Sequence, residues 1–462
     1  MLLFTESVSR VMSYQQKAKE LEAFLNDTQD GLYYLSHASI VVKMSGVSIL
    51  FDPVLANPPH FGSWLFYPLM HYSDKLLDID YCIISHQHQD HYDAEFLRLL
   101  SANTKILILE GRPQFQDLLH NEGIHFETLQ ADKLESLSSG IDYFGVNHDY
   151  NGIDSALAIR NHVFSVYHGN DCYLSPAKLR IVSEAIKKID VACIPFAYIH
   201  WYPFLIENMS EDEKDAEAKR LVDKYMNLGV DQIRELDPTL AIPFGANMFY
   251  NDGIDTNHNA CILGPHDFKK YIDINAPDIS SKVEPLFAGA IITPQLLGVN
   301  TENFLLKQAH IPLCIENGTL TQQELHEGFS AYVANVSAFA MNKLTKYSLT
   351  DYKCHSDINF INSRLFSARM NLGSIKHDIY LSCMELSQRY LQIPLDYGHA
   401  SYVDSINTTR HYHHFTLVSA AYKAYMSGEV LLGELIAASL FTLERVPNLY
   451  NLEVQKYFNN YL

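Results

Sequence analysis

Short apolar runs recur along the first 245 residues, and most are bounded by glycine, proline or polar residues. Such runs are typical of β-strands, and continuous apolar segments indicate strands buried on both faces. Ser45-Gly46 separates two of the runs as a hairpin turn does. The predicted strands cover residues 32–35, 40–44, 47–51, 81–85, 105–109, 141–146, 155–159, 163–167, 191–195 and 239–243.

Amphipathic segments alternate with these strands and predict helices. Ser175 and Pro176 form a helix start, and Ser210 with Glu213 has the pattern of a capping box. The alternation indicates an α/β fold of stacked sheet and helix layers. Beyond about residue 265 helical patterns dominate. The predicted helices cover residues 8–27, 93–100, 112–121, 175–188, 210–235, 322–341, 376–391 and 416–425.

Net charge limits the classes of binding partner, and cysteine usage indicates the cellular compartment. The formal net charge of −20 disfavours a general nucleic-acid binder, because an acidic surface repels phosphate backbones. A small anionic substrate stays open, since a metal ion can reverse the local potential. The seven cysteines are scattered without a Cys-x-x-Cys pair, which suits a reducing compartment. With no leader-like N-terminal pattern and no apolar run of spanning length, a cytoplasmic location without a membrane span is expected.

The strongest chemical signal is Ser85-His-Gln-His-Gln-Asp-His91, which directly follows a buried strand. His86 and His88 alternate along an extended segment, so both imidazoles can face the same way. Asp90 and His91 follow where the chain turns into a helix, and can face a second metal or a bound water. Loops at strand ends are where sites are built, so the sequence predicts a metal site rather than a His-rich surface loop.

The order strand, His-x-His-x-Asp-His, helix resembles the metallo-β-lactamase superfamily. This resemblance implies an αββα sandwich. The pattern of elements assigns it to residues 31–264, between an N-terminal helix over 1–30 and a mainly helical extension of unknown role over 265–462. Asp52, at a strand end, resembles the family aspartate that orients the ligand loop, although a turn residue before Pro53 is nearly as plausible.

The resemblance also implies ligands further along the chain. His148 fits the third histidine motif and Asp171 fits the carboxylate that can bridge two metals, with Asp149 or Asp154 as alternatives to His148. Where the related phospholipase D-type members carry a last histidine, this chain has Ala-Ile-Pro-Phe-Gly245. His200 could substitute there or bind substrate.

Several segments are similar to the catalytic part of CMP-N-acetylneuraminate hydroxylases, among them Tyr167–Cys172 and Leu236–Gly245. Those enzymes carry a Rieske domain upstream, whereas the first 80 residues here contain no cysteine to ligate such a cluster. His37 matches a strand motif of the hydroxylase and phospholipase branches, which implies proximity to the site, although a packed core histidine is equally plausible.

Two further segments contain candidate functional side chains. The aromatic loop over 61–72 could cover the site or could simply be packed. The cluster over 410–414 is expected to belong to the C-terminal region rather than to bind one ion, because adjacent histidines on a helix point different ways.

Two classes of enzyme follow, with a ligand-binding domain without turnover as the least favoured reading. The first is a hydrolase in which one or two Zn, Mn or Fe ions activate water against a small phosphodiester, lactone or amide, with Asp90 handling the proton. The second is a non-haem iron oxygenase that receives electrons from a separate ferredoxin or Rieske protein. Hydrolysis is favoured narrowly, because it is common in the superfamily.

Overall fold

The computed structural model describes most of the chain, with gaps. The predicted helix over 322–341 and the first part of that over 8–27 lie outside the described residues. The described residues are 14–66, 73–149, 152–250, 262–286, 288–295, 297, 358–383, 386–427, 430, 432–448, 451–460 and 462.

The first layer of the fold is a seven-stranded sheet with the order β15-β1-β2-β3-β5-β6-β7. β1, β2 and β3 form antiparallel pairs, and β3, β5, β6 and β7 run parallel. The carboxyl ends of β3 and β5 therefore meet at one edge. The strands are β1 (Gly31–Ser36), β2 (Ser39–Met44), β3 (Val47–Phe51), β5 (Tyr81–Ile84), β6 (Lys105–Leu109), β7 (Glu127–Leu129) and β15 (Ile291–Ile292).

The second layer is a six-stranded sheet with the order β13-β12-β11-β10-β9-β8. β11, β12 and β13 run parallel and the remaining pairs are antiparallel. A separate two-stranded ribbon joins β4 (Trp64–Phe66) to β14 (Met248–Tyr250). The strands are β8 (Leu134–Ser138), β9 (Ile141–Asn147), β10 (Ser155–Arg160), β11 (Ser165–His168), β12 (Val191–Pro195) and β13 (Leu240–Phe244).

The two sheets pack face to face, and helices cover their outer faces. Residues of both sheets share one apolar core, including Val42, Ile49, Ile159 and Val191. Separate apolar clusters join the first sheet to α1, α2 and α3 and the second sheet to α4, α5 and α6. The predicted αββα sandwich is therefore confirmed. The helices are α1 (Tyr14–Asn26), α2 (Ala94–Leu99), α3 (Pro113–Asn121), α4 (Pro176–Ile186), α5 (Glu211–Leu236) and α6 (Pro265–Asn275).

The sandwich continues past residue 264, which the sequence had indicated as its boundary. α6 buries Phe268 and Ile272 against the second sheet, and β15 pairs with β1 through Ile291 and Ile292. Both elements follow residue 264 in the sequence, but their apolar side chains pack in the sandwich. The boundary of the sandwich therefore lies later in the chain than predicted.

The described C-terminal residues form a mixed unit rather than the expected mainly helical one. The predicted helix over 376–391 is wrong, because Ile379, Leu381, Leu391 and Ile393 alternate with the period of a strand and share one core. The sheet order is β18-β17-β16-β19-β20. The elements are α7 (Ile358–Leu372), β16 (Asp378–Cys383), β17 (Leu386–Pro394), β18 (Ser401–Val403), β19 (Tyr412–Leu417), α8 (Ser419–Met426), α9 (Leu432–Ala437), β20 (Phe441–Val446) and α10 (Leu452–Asn460).

Helix length and composition bear on the expected absence of a membrane span. Among the residues described, no helix combines the length and apolar character that crossing a bilayer requires.

The two units are joined through the segment that follows β12. Ile206 bridges Leu443 of β20, and Leu443 exchanges backbone hydrogen bonds with its neighbours: its N–H donates to Leu205 O at 2.9 Å and its carbonyl accepts from Glu207 N at 2.9 Å. Trp201, Leu205 and Ile206 are buried in the core of the C-terminal unit. This segment therefore belongs to both units at once.

Candidate metal centre

The site begins where β3 and β5 end side by side. Asp52, fully buried with a left-handed φ of 43°, accepts hydrogen bonds from Ser85 N (2.7 Å) and Ser85 Oγ (2.6 Å). Its Oδ2 also faces His91 Nδ1 at 2.8 Å. Asp52 thus fixes both ends of the His-x-His-x-Asp-His segment, and Nδ1–H of His91 donates to it, which leaves Nε2 of that ring for a metal.

Side chains of Arg112 and Ser155 hold the backbone at the start of the same segment. Buried Arg112 donates from Nη1 to Ser85 O and from Nε and Nη2 to Leu109 O, and Ser155 Oγ donates to Ser85 O at 2.8 Å. Burial lowers the pKa of Arg112 to about 10, against the raising effect of Asp154. The guanidinium therefore remains charged at neutral pH and ties β5 to β6.

The first group of converging ligand atoms contains His86, His88 and Asp171, whose nearest donor atoms lie within 4.8 Å of one another. His86 Nε2 lies 2.8 Å from His88 Nδ1. Asp171 is positioned by Asn170, which has a φ of 39° and whose Oδ1 accepts from Asp171 N at 2.6 Å. Two histidines and one carboxylate are thus assembled from the ends of β5 and β11.

The second group contains His37, Asp90 and His91, again within 4.8 Å. Asp90 Oδ2 lies 3.2 Å from His91 Nε2 and 3.4 Å from His37 Nε2, and Asp90 Oδ1 lies 3.2 Å from Nε2 of His60. The two groups meet where His91 Nε2 lies 3.3 Å from Asp171 Oδ2. Within the described residues, these are the groups of three or more such side chains that could hold an ion.

His37 enters the site from the turn between β1 and β2. Its φ is 32°, and its ring stacks on Phe66 with centroids 4.5 Å apart and planes 9° apart. On the opposite side, Gly245 has a φ of 71°, and a Cβ built on it would lie 3.4 Å from Asp171 Oδ1. The end of β13 therefore brings backbone close to Asp171 and supplies no metal ligand. His37 completes the second group of three.

Burial and neighbouring charges shift the pKa values of three of these side chains in different directions. Burial, together with His91 and His88, holds the pKa of His86 well below its ordinary value, so its ring is neutral at pH 7. Burial raises the pKa of Asp90, but the neighbouring rings of His91, His37 and His60 outweigh it, so that this pKa is well below the usual range. Burial lowers the pKa of His91, but the charges of Asp90 and Asp171 outweigh it and the pKa is well above its usual value.

The other predicted ligands lie around these groups. His148 and Asp154 line the same cavity without joining either group, although Asp154 Oδ1 approaches His86 Nε2 to 3.7 Å. Asp149 is committed elsewhere, since it accepts from Ser175 N at 2.9 Å and faces Lys178 at 3.6 Å. The structure thus brings together five of the six predicted ligands and leaves His148 beside them.

A cavity of about 560 Å³ opens onto both groups through His88, Asp90 and Asp171. His200 lines it, and its Nδ1 accepts from Tyr202 N at 3.1 Å, which assigns the proton of the neutral ring to Nε2. Burial and Arg445 lower the pKa of His200 to about 4. Of the aromatic loop over 61–72, Trp64 also lines the cavity, whereas residues 67–72 lie outside the described residues.

Sequence reasoning missed His60 and undervalued His37. His60 begins a short 3₁₀ helix (His60–Gly62) with a φ of 49°, and its ring lies 4.5 Å from that of Trp64. An isolated histidine after Pro59 carries no spacing signal. The only hint was its place in an aromatic loop that follows a strand-end aspartate.

Residues 31–218 match the family model described as the beta-lactamase superfamily domain. This part of the chain therefore has the metallo-β-lactamase fold, as its strand order and ligand motif had indicated.

Among curated relatives, a Mycolicibacterium smegmatis protein named as a Rieske 2Fe-2S iron-sulfur protein is 27% identical over 223 residues, covering 45% of this chain and 42% of its own length. The chain thus spans less than half the length of that relative. The Caenorhabditis elegans N-acyl-phosphatidylethanolamine-hydrolyzing phospholipase D 1 is 33% identical over 86 residues, which cover 17% of this chain and 24% of that protein.

The solved structure of CmlA, a diiron β-hydroxylase from Streptomyces venezuelae, aligns with a TM-score of 0.41 and 19% identity. The alignment covers 57% of this chain and 54% of CmlA. Similarity at this level carries no inference about function.

Proposed function

We propose that the protein is a metal-dependent hydrolase with a two-ion centre. His86, His88 and Asp171 would hold one cation, and His37, Asp90 and His91 the other. The observation that carries this proposal is the contact between the two groups: His91 Nε2 lies 3.3 Å from Asp171 Oδ2, and both groups border one cavity. Paired cations a few ångströms apart are a recurring arrangement for hydrolytic displacement.

The donor set fits divalent cations. Imidazole nitrogen and carboxylate oxygen are ligands for Zn²⁺, Mn²⁺ and iron. His91 Nε2 and both ring nitrogens of His37 are buried and, among the described residues, have no hydrogen-bond partner with acceptable geometry. Burying such atoms unpaired is costly, so their convergence beside Asp90 indicates that they serve a ligand.

A cation bound there would act as a Lewis acid and lower the pKa of a water molecule to about 7. The residues of the chain do the rest. Asp90 is kept ionised by its three imidazole neighbours and can orient an attacking water by accepting a hydrogen bond from it. His200 presents Nε2–H on the cavity wall and can donate a hydrogen bond to the substrate oxygen on which negative charge develops.

The substrate class is a small phosphodiester, lactone or amide. Its size is bounded by the cavity of about 560 Å³, which falls within the range of small-molecule sites. A relative named as a phospholipase D that hydrolyses a phosphodiester-containing lipid shares 33% identity over 86 residues, which supports the hydrolytic class.

An iron-dependent oxygenase is the second candidate, and one observation favours it. Each group contains two histidines and one carboxylate, the set found at non-haem iron sites that activate oxygen. The relatives named as Rieske iron-sulfur proteins support the same idea. In that case a ferredoxin or Rieske protein would supply electrons.

Metal content and reactivity decide between the two. Protein purified anaerobically is analysed for Zn, Mn and Fe, beside His86→Ala and the matched control His162→Ala, whose exposed side chain lies outside the site. Two ions per chain in the wild type and the control, and their loss in His86→Ala, are expected. Hydrolysis of bis(p-nitrophenyl) phosphate or a simple lactone without oxygen supports the hydrolase. Bound iron with substrate-dependent oxygen uptake and no hydrolysis overturns it in favour of the oxygenase.

A further inference from the structure

The wall of the cavity is not built by the superfamily domain alone. Gly433 and Ile436, both on α9 of the C-terminal unit, line the same cavity as His88, Asp90 and Asp171. Ile436 is only 3% exposed, so its side chain is packed against its neighbours. A helix from near residue 435 thus takes part in a site whose ligands all come from residues 37–171.

Three sets of contacts hold α9 and its surroundings in this position. α9 packs against the 3₁₀ helix His60–Gly62, whose first residue contacts Asp90. Tyr250, another cavity residue, reaches Ser439 just after α9. On the other side, Trp201 stacks edge-on against Phe441 of β20 with centroids 5.2 Å apart. The C-terminal unit is therefore fixed against the site at several points.

Much of the cavity wall is aromatic. The rings of Tyr173 and Tyr198 each lie 5.0 Å from that of Tyr225, and together they form a continuous surface beside His200. Apart from the ligands and nearby acids and histidines, the charged side chain that borders the cavity is Lys224. The aromatic and aliphatic residues of the wall are Trp64, Tyr173, Phe196, Tyr198, Ile199, Trp201, Tyr225, Leu228, Phe244, Tyr250 and Ile436.

We propose that this wall binds the non-reacting part of the substrate, an aryl or alkyl group, and that Ile436 sets the length of that group. The proposal rests on the proposed function only in placing the reacting bond at the ligand groups. Apolar walls recognise apolar groups, and each methylene buried is worth about fourfold in affinity. Because Ile436 lines the cavity and is packed in place, its volume limits how many methylenes the cavity can hold, and the C-terminal unit thereby contributes to specificity.

The chain carries a direct reporter of this wall, because its two tryptophans, Trp64 and Trp201, both line the cavity. Binding is followed by tryptophan fluorescence with neutral probes of increasing length: benzyl alcohol, 2-phenylethanol, 3-phenylpropanol and 4-phenylbutanol. The full chain is used, both loaded with Zn²⁺ and after chelation, so that binding is measured without turnover.

In the wild type, affinity should rise about fourfold per methylene up to a limit and then fall. Ile436→Ala should move that limit to longer probes, and Ile436→Phe should weaken the longest probe at least tenfold while sparing benzyl alcohol. Ile436→Val should lie between the wild type and Ile436→Ala, and serves if the larger changes impair folding. Ile379→Ala, in the C-terminal core, is the matched control and should keep the wild-type length limit.

Identical length limits in the wild type and all folded Ile436 variants overturn the proposal, as does a wild type that binds none of the probes. The outcome is separable from that of the proposed function. If the length limit moves but His86→Ala keeps its metal, the wall is supported and the metal centre is not. If the metal and hydrolysis results hold while the limit stays fixed, the wall alone is refuted.

Discussion

Replacing Asp52 by asparagine tests how the metal centre is organised. Asp52 is fully buried and only accepts hydrogen bonds, from Ser85 N, Ser85 Oγ and His91 Nδ1 at 2.6–2.8 Å. Asparagine has nearly the same volume but turns one of the two oxygens into a donor. If its oxygen stays on Ser85 N, its NH₂ faces His91 Nδ1. That nitrogen must then accept, the proton moves to Nε2, and the lone pair that would hold a metal is lost.

The magnitude follows from the bonds exchanged. Replacing charge-assisted hydrogen bonds by neutral ones at a buried position should lower the free energy of unfolding of the metal-free protein by about 1–3 kcal/mol. Loss of the correct ring form should weaken binding at the second group about 10–100-fold, which is roughly 1.4–2.7 kcal/mol. The affinity loss should therefore add to the stability loss when the metal-loaded variant is unfolded.

The assay is a competition between the protein and a chromophoric chelator for Zn²⁺, with urea unfolding of the metal-free protein beside it. Asp190→Asn is the matched control, because Asp190 is 5% exposed and its Oδ2 accepts from Ser165 N (3.0 Å) and Ser165 Oγ (3.1 Å), away from the site. The control should lose stability and keep its zinc affinity. If Asp52→Asn loses stability but binds zinc as tightly as the wild type, the role given to Asp52 is refuted.

Three other changes test separate parts of the structure. His148→Ala should keep the full metal content and lose activity, measured by elemental analysis and turnover, since His148 borders the cavity outside both groups; loss of one ion would make it a ligand after all. Gly245→Ala, at a φ of 71°, should lose about 1 kcal/mol or more of stability and bind less metal, because relief of the backbone strain shifts the chain beside Asp171 Oδ1, which lies 3.4 Å from the new Cβ; unchanged unfolding and metal titrations would contradict this. His377, 3% exposed and 2.7 Å from His413, has its pKa lowered by burial to about 4. The His377 side chain takes up a proton near pH 6.5 in the unfolded protein but only near pH 4 in the folded protein. As the pH is lowered from 6.5 to 4, the free energy of unfolding should therefore fall by up to about 3 kcal/mol. His377→Gln should make this fall, measured by urea unfolding, smaller.

Four of the predicted ligands could be indicated by local order, whereas His148 and Asp171 were indicated by the family resemblance. His86, His88, Asp90 and His91 stand within six positions after a buried strand, so their convergence required only that β5 end there. Asp52 was indicated by its resemblance to the family's strand-end aspartate, and the parallel pairing of β3 with β5 is what brings it to the ligand segment. These contacts join residues that are close in sequence or that lie at the ends of paired strands. The hydrophobic pattern predicts where such strands end.

The remaining partners depend on long-range packing. His37 becomes a candidate ligand only because a tight turn between β1 and β2 lies over the end of β5, and His60 because an aromatic ribbon returns to the same point. The strands over 378–394 were mistaken for helix because their composition favours helix while their two-residue alternation is short. Such features are decided by which surfaces meet, and a single sequence does not contain that information locally.

The link between Ile206 and β20 has a consequence for how this chain is made. Trp201, Leu205 and Ile206 are synthesised more than two hundred residues before β20 (Phe441–Val446), the strand that Trp201 and Ile206 contact. During translation the two sheets of the sandwich can form before β20 is synthesised. Until then this apolar segment is exposed and can aggregate with other nascent chains. Expression of residues 1–300 alone should therefore yield material that depends on chaperones or aggregates, and supplying the missing half later should not easily repair it.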